Sequence, residues 1–363
     1  MGREAVTIRD VAREAKVSVA TVSRALNGHS NVAEPVRRLV HEVAQRLRYS
    51  PHGAARSLSS RSTQTIGVVL PDLHGEFFSE LIRGIDAVAR ARGRHLLLSS
   101  YHGDPEEQGA ALRAMRGRVD GLLVMSPYAD QPGFLAENLP QPLPAVLLNT
   151  HPADALWPSF EVDNHAGAKA MVEHLLALGH RRIAFIGGPE RNHDARERLR
   201  GFREAIAAQA DAEGSEYPGD FDEASGHLAG LAIQRADPRP DAVFAANDMM
   251  ALGCLYALAQ SGVQVPGQIA LAGFDDIPLA RFVHPSLTTM RVSIAELGGS
   301  AMTRLLDQIE SGLAAGEGVA AEQETPDRHV LAPMLVVRAS SGGPSGEALE
   351  EQRRKPRRTT RAE

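Results

Sequence analysis

Residues Thr7 to Leu26 read T-I-R-D-V-A-R-E-A-K-V-S-V-A-T-V-S-R-A-L, and their polar punctuation leaves this stretch little conformational freedom. Thr7 can cap a helix, and Asp10, three residues on, can reach back to the cap and complement the helix dipole. Ile8, Val11, Ala12 and Ala15 recur at helical spacing as the inward stripe. Lys16-Val17 then makes a turn, and Ser18 caps a second helix whose Val22, Ala25 and Leu26 face in. Val19, Ala20, Thr21, Ser23 and Arg24 are left for the helix start and the outer face. Small, hydroxyl-bearing and basic side chains are what a helix needs in the DNA major groove. Spacing alone is met equally well by an ordinary helical hairpin.

The residues downstream favour the nucleic-acid reading. From Asn27 a polar loop leads to a third helix, Pro35 to Leu47, with Val36, Leu39, Val40, Val43 and Leu47 at helical intervals. The segment from Tyr49 to Ser60 is too polar to form its own core and too short to be a stable isolated helix, so it needs a partner to order it. Residues 1–61 hold eleven Lys and Arg against five Asp and Glu, a net charge of +6 in a chain whose total is −6, so the remainder carries −12. A basic head on an acidic body is an electrostatic footprint for phosphate.

The motif D-V-A…V-S-x-x-T-V-S-R-x-L-N, followed by Tyr-x-Pro and A-R-x-L, resembles the DNA-binding headpiece and hinge of the lactose-repressor (LacI/GalR) family of bacterial transcriptional regulators. The resemblance implies that Val19 and Ala20 form the base-reading pair and that Arg24 is a base contact. It implies phosphate or base contacts for Ser18, Thr21 and Ser23, and places Thr7 and Asn27 at the DNA as well. Leu58 becomes the hinge leucine that wedges into the minor groove at the operator centre and bends the duplex. Three positions depart from the family pattern. Lys16 stands where glycine is usual, which is costly if the turn needs a positive φ, and Ala33 and Val36 replace a usual serine cap and threonine.

The rest of the chain is long enough for two further compact units. Strand 66–70 is followed by helix 77–92, strand 95–99, helix 106–116 and strands 121–125 and 146–148. After residue 162 the pattern restarts with helix 166–178, strand 183–186, helix 196–208, strand 242–245, helix 249–260 and strand 269–272. Strands alternating with helices indicate parallel sheets covered on both faces, and ligands in such sheets sit at the carboxyl ends of strands. The resemblance extends over roughly residues 6–339. The expected fold is therefore a small all-α helix-turn-helix headpiece plus an α/β two-lobed periplasmic-binding-protein-like body with parallel sheets.

By position, the headpiece occupies 1–49 and a hinge helix 50–62. The first lobe takes 63–162 with 291–324, the second 163–290 with 325–339, and 340–363 is a disordered tail of Ser, Gly and Pro ending in R-R-K-P-R-R. The effector-binding residues implied by the resemblance are Asp72, Phe77, Ser126, Asn149, Arg198, Phe221, Asn247 and Asp275. Arg198 offers a fork of donors, Asn247 a donor and an acceptor, and Asp275 a carboxylate suited to two sugar hydroxyls. Asp248 reads as the cap of the helix it opens. Helix 77–92, with Leu81, Ile85 and Val88 on one stripe, is a candidate dimer surface, or else packs on its own sheet.

Other chemistry finds no support. The single cysteine, Cys254, reads as a core residue, and the fourteen histidines show no metal-ligand spacing. No Gly-rich phosphate loop or nucleophile elbow occurs, so neither an enzyme nor a cofactor or metal is expected. No apolar run approaches the ~20 residues of a membrane span, and a cytoplasmic protein is expected. The favoured function is a dimeric repressor that binds a palindromic double-stranded DNA operator and is controlled allosterically by a small sugar. A nucleoside is the second effector reading, and a small-molecule sensor without operator binding is the competing function.

Overall fold

The computed structural model describes residues 6–26, 31–49, 62–128, 133–140, 142–150, 156–315 and 327–342. The chain forms two compact units, residues 1–64 and 65–363. Asn27, most of the expected hinge helix including Leu58, and the chain beyond Gly342 lie outside the described residues.

The first unit holds three helices, α1 (Ile8–Glu14), α2 (Val19–Leu26) and α3 (Glu34–Leu47). The Asp10 carboxylate accepts from both the backbone N–H of Thr7 at 3.0 Å and its hydroxyl at 2.8 Å, locking the first turn of α1. Those bonds hold the Asp10 carboxyl below the usual carboxylate range. Ser18 Oγ accepts the Thr21 N–H at 3.0 Å and caps α2. Between the helices Lys16 sits at φ 55, so the turn does demand a left-handed residue and imposes its steric cost on lysine. Ala33 supplies no side-chain cap to α3, as its chemistry requires. Every buried core residue described in this unit is Val or Ala, among them Val11, Ala15, Val22, Val40 and Val43. Leu39, expected in that core, is 44% exposed, because its place on the turn is taken by Val40 and Val43.

The second unit is built on two six-stranded sheets. The first sheet has β1 (Thr65–Leu70), β2 (His95–Ser100), β3 (Gly121–Met125), β4 (Ala145–Leu148), β5 (Ser159–Val162) and β11 (Arg328–Leu331), in the order β11-β5-β4-β3-β1-β2, all parallel. The second has β6 (Arg182–Ile186), β7 (Glu213–Tyr217), β8 (Ala242–Ala245), β9 (Ala270–Asp275), β10 (Thr288–Arg291) and β12 (Met334–Val336). Its order is β12-β10-β9-β8-β6-β7, parallel except for β12. Strands such as β3, β4 and β8 are buried at every position, as parallel strands covered on both faces must be.

Helices α4 (Glu76–Ala91), α5 (Pro105–Ala114), α6 (Phe134–Asn138) and α11 (Ile294–Ala315) belong with the first sheet, and α7 (Asn164–Ala177), α8 (His193–Ala207), α9 (Glu223–Ile233) and α10 (Asp248–Gln260) with the second. The Leu81 and Ile85 stripe of α4 is fully buried against α11 and the sheet, so it is not available as a dimer surface. The two helices approach so closely at Gly84 that a Cβ there would lie 2.0 Å from the Ala295 carbonyl oxygen.

The chain passes between the sheets three times, after β5, after β10 and between β11 and β12. The last passage corrects the expected boundary at residue 325: Arg328–Leu331 pairs with Ser159–Val162 in the first sheet, and only from Met334 does the chain join the second. The expected tail also begins too early. Ser340 and Ser341 are buried in a 3-10 turn, Ala339–Ser341. Ser340 Oγ donates to the Leu271 carbonyl at 2.6 Å and accepts the Thr288 N–H at 2.8 Å, while Ser341 pairs with the Thr288 hydroxyl at 2.7 Å. A Ser-rich composition that looks solvated is here consumed by strand ends needing partners.

Candidate functional site

Two surfaces carry the residues singled out in the sequence. On the first unit, Thr7, Ser18, Val19, Ala20 and Arg24 are exposed, and Thr21 and Ser23 half-buried. Val19 is 42% exposed at the start of α2, an apolar side chain left in solvent at the helix end that would face bases. The Ser18 and Thr21 hydroxyls lie 2.8 Å apart, and Arg24 Nε donates to the Ala20 carbonyl at 3.2 Å. The helix thus presents small groups and hydroxyls with one guanidinium folded along it.

On the second unit a cleft of about 340 Å³ opens beyond the carboxyl ends of the strands of both sheets. Seven of the eight expected effector residues line it: Asp72, Phe77, Asn149, Arg198, Phe221, Asn247 and Asp275. Ser126 does not. It is buried, its hydroxyl donating to Gln108 Oε1 at 3.1 Å and its N–H to Thr150 Oγ1 at 2.7 Å, so it braces the loop behind the wall.

Arg198, on α8, is buried and already engaged. Nε donates to Asn164 Oδ1 at 2.8 Å, one terminal nitrogen to the Ala246 carbonyl at 2.5 Å, and the other lies 3.4 Å from Asp275 Oδ1. Its guanidinium stacks over the Phe274 ring at 3.9 Å. Asp275, at the end of β9, sits at φ 112. Burial pushes its carboxyl up to about 7; nearby Asp194 adds to the rise and Arg198 opposes it. Its neighbour Asp276 is a node, clasped by Arg338, by Arg291 at 2.6 Å and by Arg281 at 3.8 Å.

Asn247 caps α10 by accepting the Met250 N–H at 2.9 Å and donates from Nδ2 to the Phe221 carbonyl at 2.9 Å. Asp248 is therefore not the cap. It is fully buried, accepting from the Thr289 hydroxyl at 2.6 Å and the Ile277 N–H at 3.0 Å, and burial raises its carboxyl well above the usual range. Phe221 adopts φ 63, and its ring covers Gly188 so closely that a Cβ there would fall 2.5 Å from it. From the first lobe, Asp72 Oδ1 accepts the N–H groups of Leu73 and His74, and Phe77 packs edge-to-face on Phe78 at 5.4 Å. Asn149 is buried at φ 40.

Sequence reasoning missed other lining groups, Tyr128, Asn192, Asp194 and Asp220 among them. Burial raises the Tyr128 phenol, its bond to Asn192 opposes this, and Asp220, Asp194 and Asp72 add to the rise, so these carboxylates share one space with it. The signal that marks them is position, two or three residues past a strand end or on the turn that opens a helix. The lobes also touch directly. The His193 N–H donates to the Pro127 carbonyl at 2.9 Å, the Leu279 N–H to Glu76 Oε2 at 3.0 Å, and His74 lies 3.6 Å from Glu223. Among the described residues no group of three or more His, Cys, Asp or Glu is placed to hold a metal ion, and no helix is long and apolar enough to cross a membrane. Cys254 is a core thiol, pushed up to about 12 by burial.

A helix-turn-helix unit with its reading face exposed, joined to a two-lobed α/β body with a cleft, defines a DNA-binding transcriptional regulator with a small-molecule-binding body. The family of bacterial regulatory proteins named lacI matches residues 7–52, and the periplasmic binding protein-like domain matches residues 172–341. The chain is 37% identical to the ribose operon repressor of Escherichia coli (strain K12) over 306 residues, covering 84% of this chain and 93% of that one. It is 35% identical over 353 residues to the HTH-type transcriptional regulator GalR of the same organism, covering 94% and 97%. Among solved structures, the Lac repressor dimer bound to operator and the anti-inducer ONPF matches with a TM-score of 0.79 at 28% identity, covering 93% of this chain and 99% of that one. The chain belongs to the lacI family of bacterial transcriptional regulators.

Proposed function

We propose that this regulator is a repressor that binds a palindromic operator as a homodimer and releases or tightens its hold when a small sugar occupies the cleft. The observation that carries the reading is the pairing of an exposed Val19-Ala20-Arg24 face on α2 with a closed-in cleft holding Asp275 at a strand end. Val19 and Ala20 contact thymine methyls, Arg24 reaches guanine acceptors, and Thr7, Ser18, Thr21, Ser23 and Asn27 fix the register on phosphates. Leu58 is the minor-groove wedge, shared between two subunits. The Lac repressor, bound to its operator as a dimer, and the ribose operon repressor supply the analogy for DNA, dimer and sugar. A cytoplasmic location goes with that role.

The subunit surface is not the α4 stripe. Among the described residues the most exposed large apolar side chains are Phe282, Leu228 and Tyr256, at 81, 66 and 60% exposure, all in the second lobe. Ligand binding and operator binding must change each other by the same factor, typically ~1–3 kcal/mol of coupling. The test is fluorescence anisotropy of the full chain with a palindromic duplex carrying a central CG step, against a scrambled duplex, over a salt series. Preference for the palindrome, lost on Leu58→Ala, is expected. Equal binding to both duplexes overturns the operator reading, and no binding restores a sensor without operator binding.

A further inference from the structure

A short strap, Asp275 to Leu279, runs from the cleft wall to a bond with the opposite lobe. Asp275 lines the cleft at φ 112, and Asp276 follows it at φ 55. Consecutive left-handed residues that carry side chains are strained, and they persist only where their surroundings hold them. Here the Asp276 N–H donates to Thr289 Oγ1 at 3.3 Å, and its carboxylate is clasped by Arg338 and Arg291. The Ile277 N–H donates to the fully buried Asp248 at 3.0 Å. Ile277 is itself buried, and Pro278, with its φ fixed by its ring, opens the 3-10 turn Pro278–Arg281. The strap therefore has little slack to absorb a displacement of Asp275 before it reaches Leu279.

The first N–H groups of a helix have no partner within it. Pro278 has no N–H, so Leu279 carries the first one of this turn, and the other lobe supplies its acceptor, Glu76 Oε2 at 3.0 Å. Glu76 is half-buried, opens α4 and does not line the cleft. Helix α4 is in turn fitted to α11 at Gly84, which joins Glu76 to the frame of the first lobe. The other direct contacts between the lobes are of a different kind. The His193 bond to Pro127 runs from backbone to backbone, and His74 and Glu223 stand 3.6 Å apart with both side chains largely in solvent. Of these three contacts, only that of Glu76 sets a carboxylate on a backbone N–H, the stronger kind of hydrogen bond.

We propose that Glu76 is a positioning residue: through Leu279 and the strained strap it ties the closure of the two lobes to the placement of Asp275. A ligand that shifts Asp275 alters the grip on Glu76 without touching it, and a lobe pulled away from Glu76 alters Asp275 in return. The regulatory meaning rests on the cleft being the effector site and on operator binding by the head. The grip itself rests on neither.

The test reads lobe separation in the full chain by single-molecule energy transfer between dyes on A110C in the first lobe and A224C in the second, both exposed positions. Cys254 is fully buried and stays unlabelled. Glu76→Ala is expected to raise the ratio of open to closed molecules about tenfold or more, as loss of a hydrogen bond to a charged group should. Glu76→Gln keeps an acceptor oxygen and is expected to fall between alanine and the unaltered chain. Glu80→Ala, one turn along α4 and paired there with Arg83, controls for a weakened helix and is expected to leave the ratio alone. A ratio unmoved by Glu76→Ala, moved as far by Glu76→Gln, or moved equally by Glu80→Ala overturns the proposal. The palindromic duplex, titrated in parallel, is expected to change in affinity about fivefold or more in Glu76→Ala. An altered ratio with unaltered duplex affinity overturns the regulatory part. An unaltered chain that binds no duplex overturns the operator reading instead, and lobe separation still decides the grip.

Discussion

The head and the body solve opposite problems with the same chain. In residues 6–49 function sits on the outside: the core is only Val and Ala, and α2 leaves Val19 exposed beside its hydroxyls and Arg24. In the body function sits on the inside, where Arg198, Asp275 and Asn247 are nearly fully buried and each is held by its own partners. The surface site is made of one short helix whose contacts span three or four residues. The cleft is made of strand ends up to about two hundred residues apart, each needing its whole sheet to be in place. A change on the exposed face of α2 should therefore alter binding and spare stability, whereas a change at a buried residue of the cleft should do both.

The strongest way to break that contrast is to attack the body far from its cleft. Gly84→Ala places a Cβ against the Ala295 carbonyl, and a loss of about 3 kcal/mol is expected by denaturant unfolding. Arg24→Ala should do the reverse, weakening binding to a specific duplex about 100-fold with an unchanged thermal midpoint; a large fall in the midpoint means the exposed face is structural after all. Asp275→Asn sharpens the comparison through pH. The Asp275 carboxyl is raised to about 7 in the folded chain, so the native state favours its protonated form. The stability this adds is fully present below the unfolded value of 3.8 and is lost as pH rises through about 7. The asparagine variant should lack this loss, on the order of 2 kcal/mol, in unfolding curves taken between those values.

Smaller effects belong to the head. Lys16→Gly relieves the left-handed strain at φ 55 and should stabilise the head by about 1 kcal/mol, while lowering the salt slope of DNA binding by about one if the lysine meets a phosphate. Ala33→Ser restores a cap to α3 and should add about 0.5–1 kcal/mol to the head's thermal stability, with no change in operator preference.

The same contrast decides what could be read from residues alone. The Thr7–Asp10 bond, the Ser18 cap and the inward stripes are local, so their spacing suffices. The buried strands of the body announce themselves by apolar runs, and most of the effector residues lie where those runs end. Other parts are silent for physical reasons. Edge strand Glu213–Tyr217 is mostly polar, which hid both it and Asp220 just beyond it. Ala- and Gly-rich Glu223–Ile233 has no clear apolar stripe, because small residues let it pack tightly on α10. Ser126 comes after a strand as its neighbours in the cleft do, and only the tertiary bond to Gln108 turns it away. Ser340 and Ser341 carry a solvent-like composition, and only the carbonyl and hydroxyl waiting beneath them make them core.

The last described stretch, 327–342, has a consequence for how the protein is made. It supplies β11 to one edge of the first sheet, β12 to one edge of the second, and the Ser340 plug behind β9 and β10. Arg338 from this stretch also closes on Asp276, next to the cleft-lining Asp275. A nascent chain emerging from the ribosome can assemble the head early, but both sheets wait for the final strands, and the cleft cannot take its finished form before translation has passed them. A chain cut just before Arg328 should therefore keep the three helices of the head while both sheets of the body lose an edge strand and the Ser340 plug.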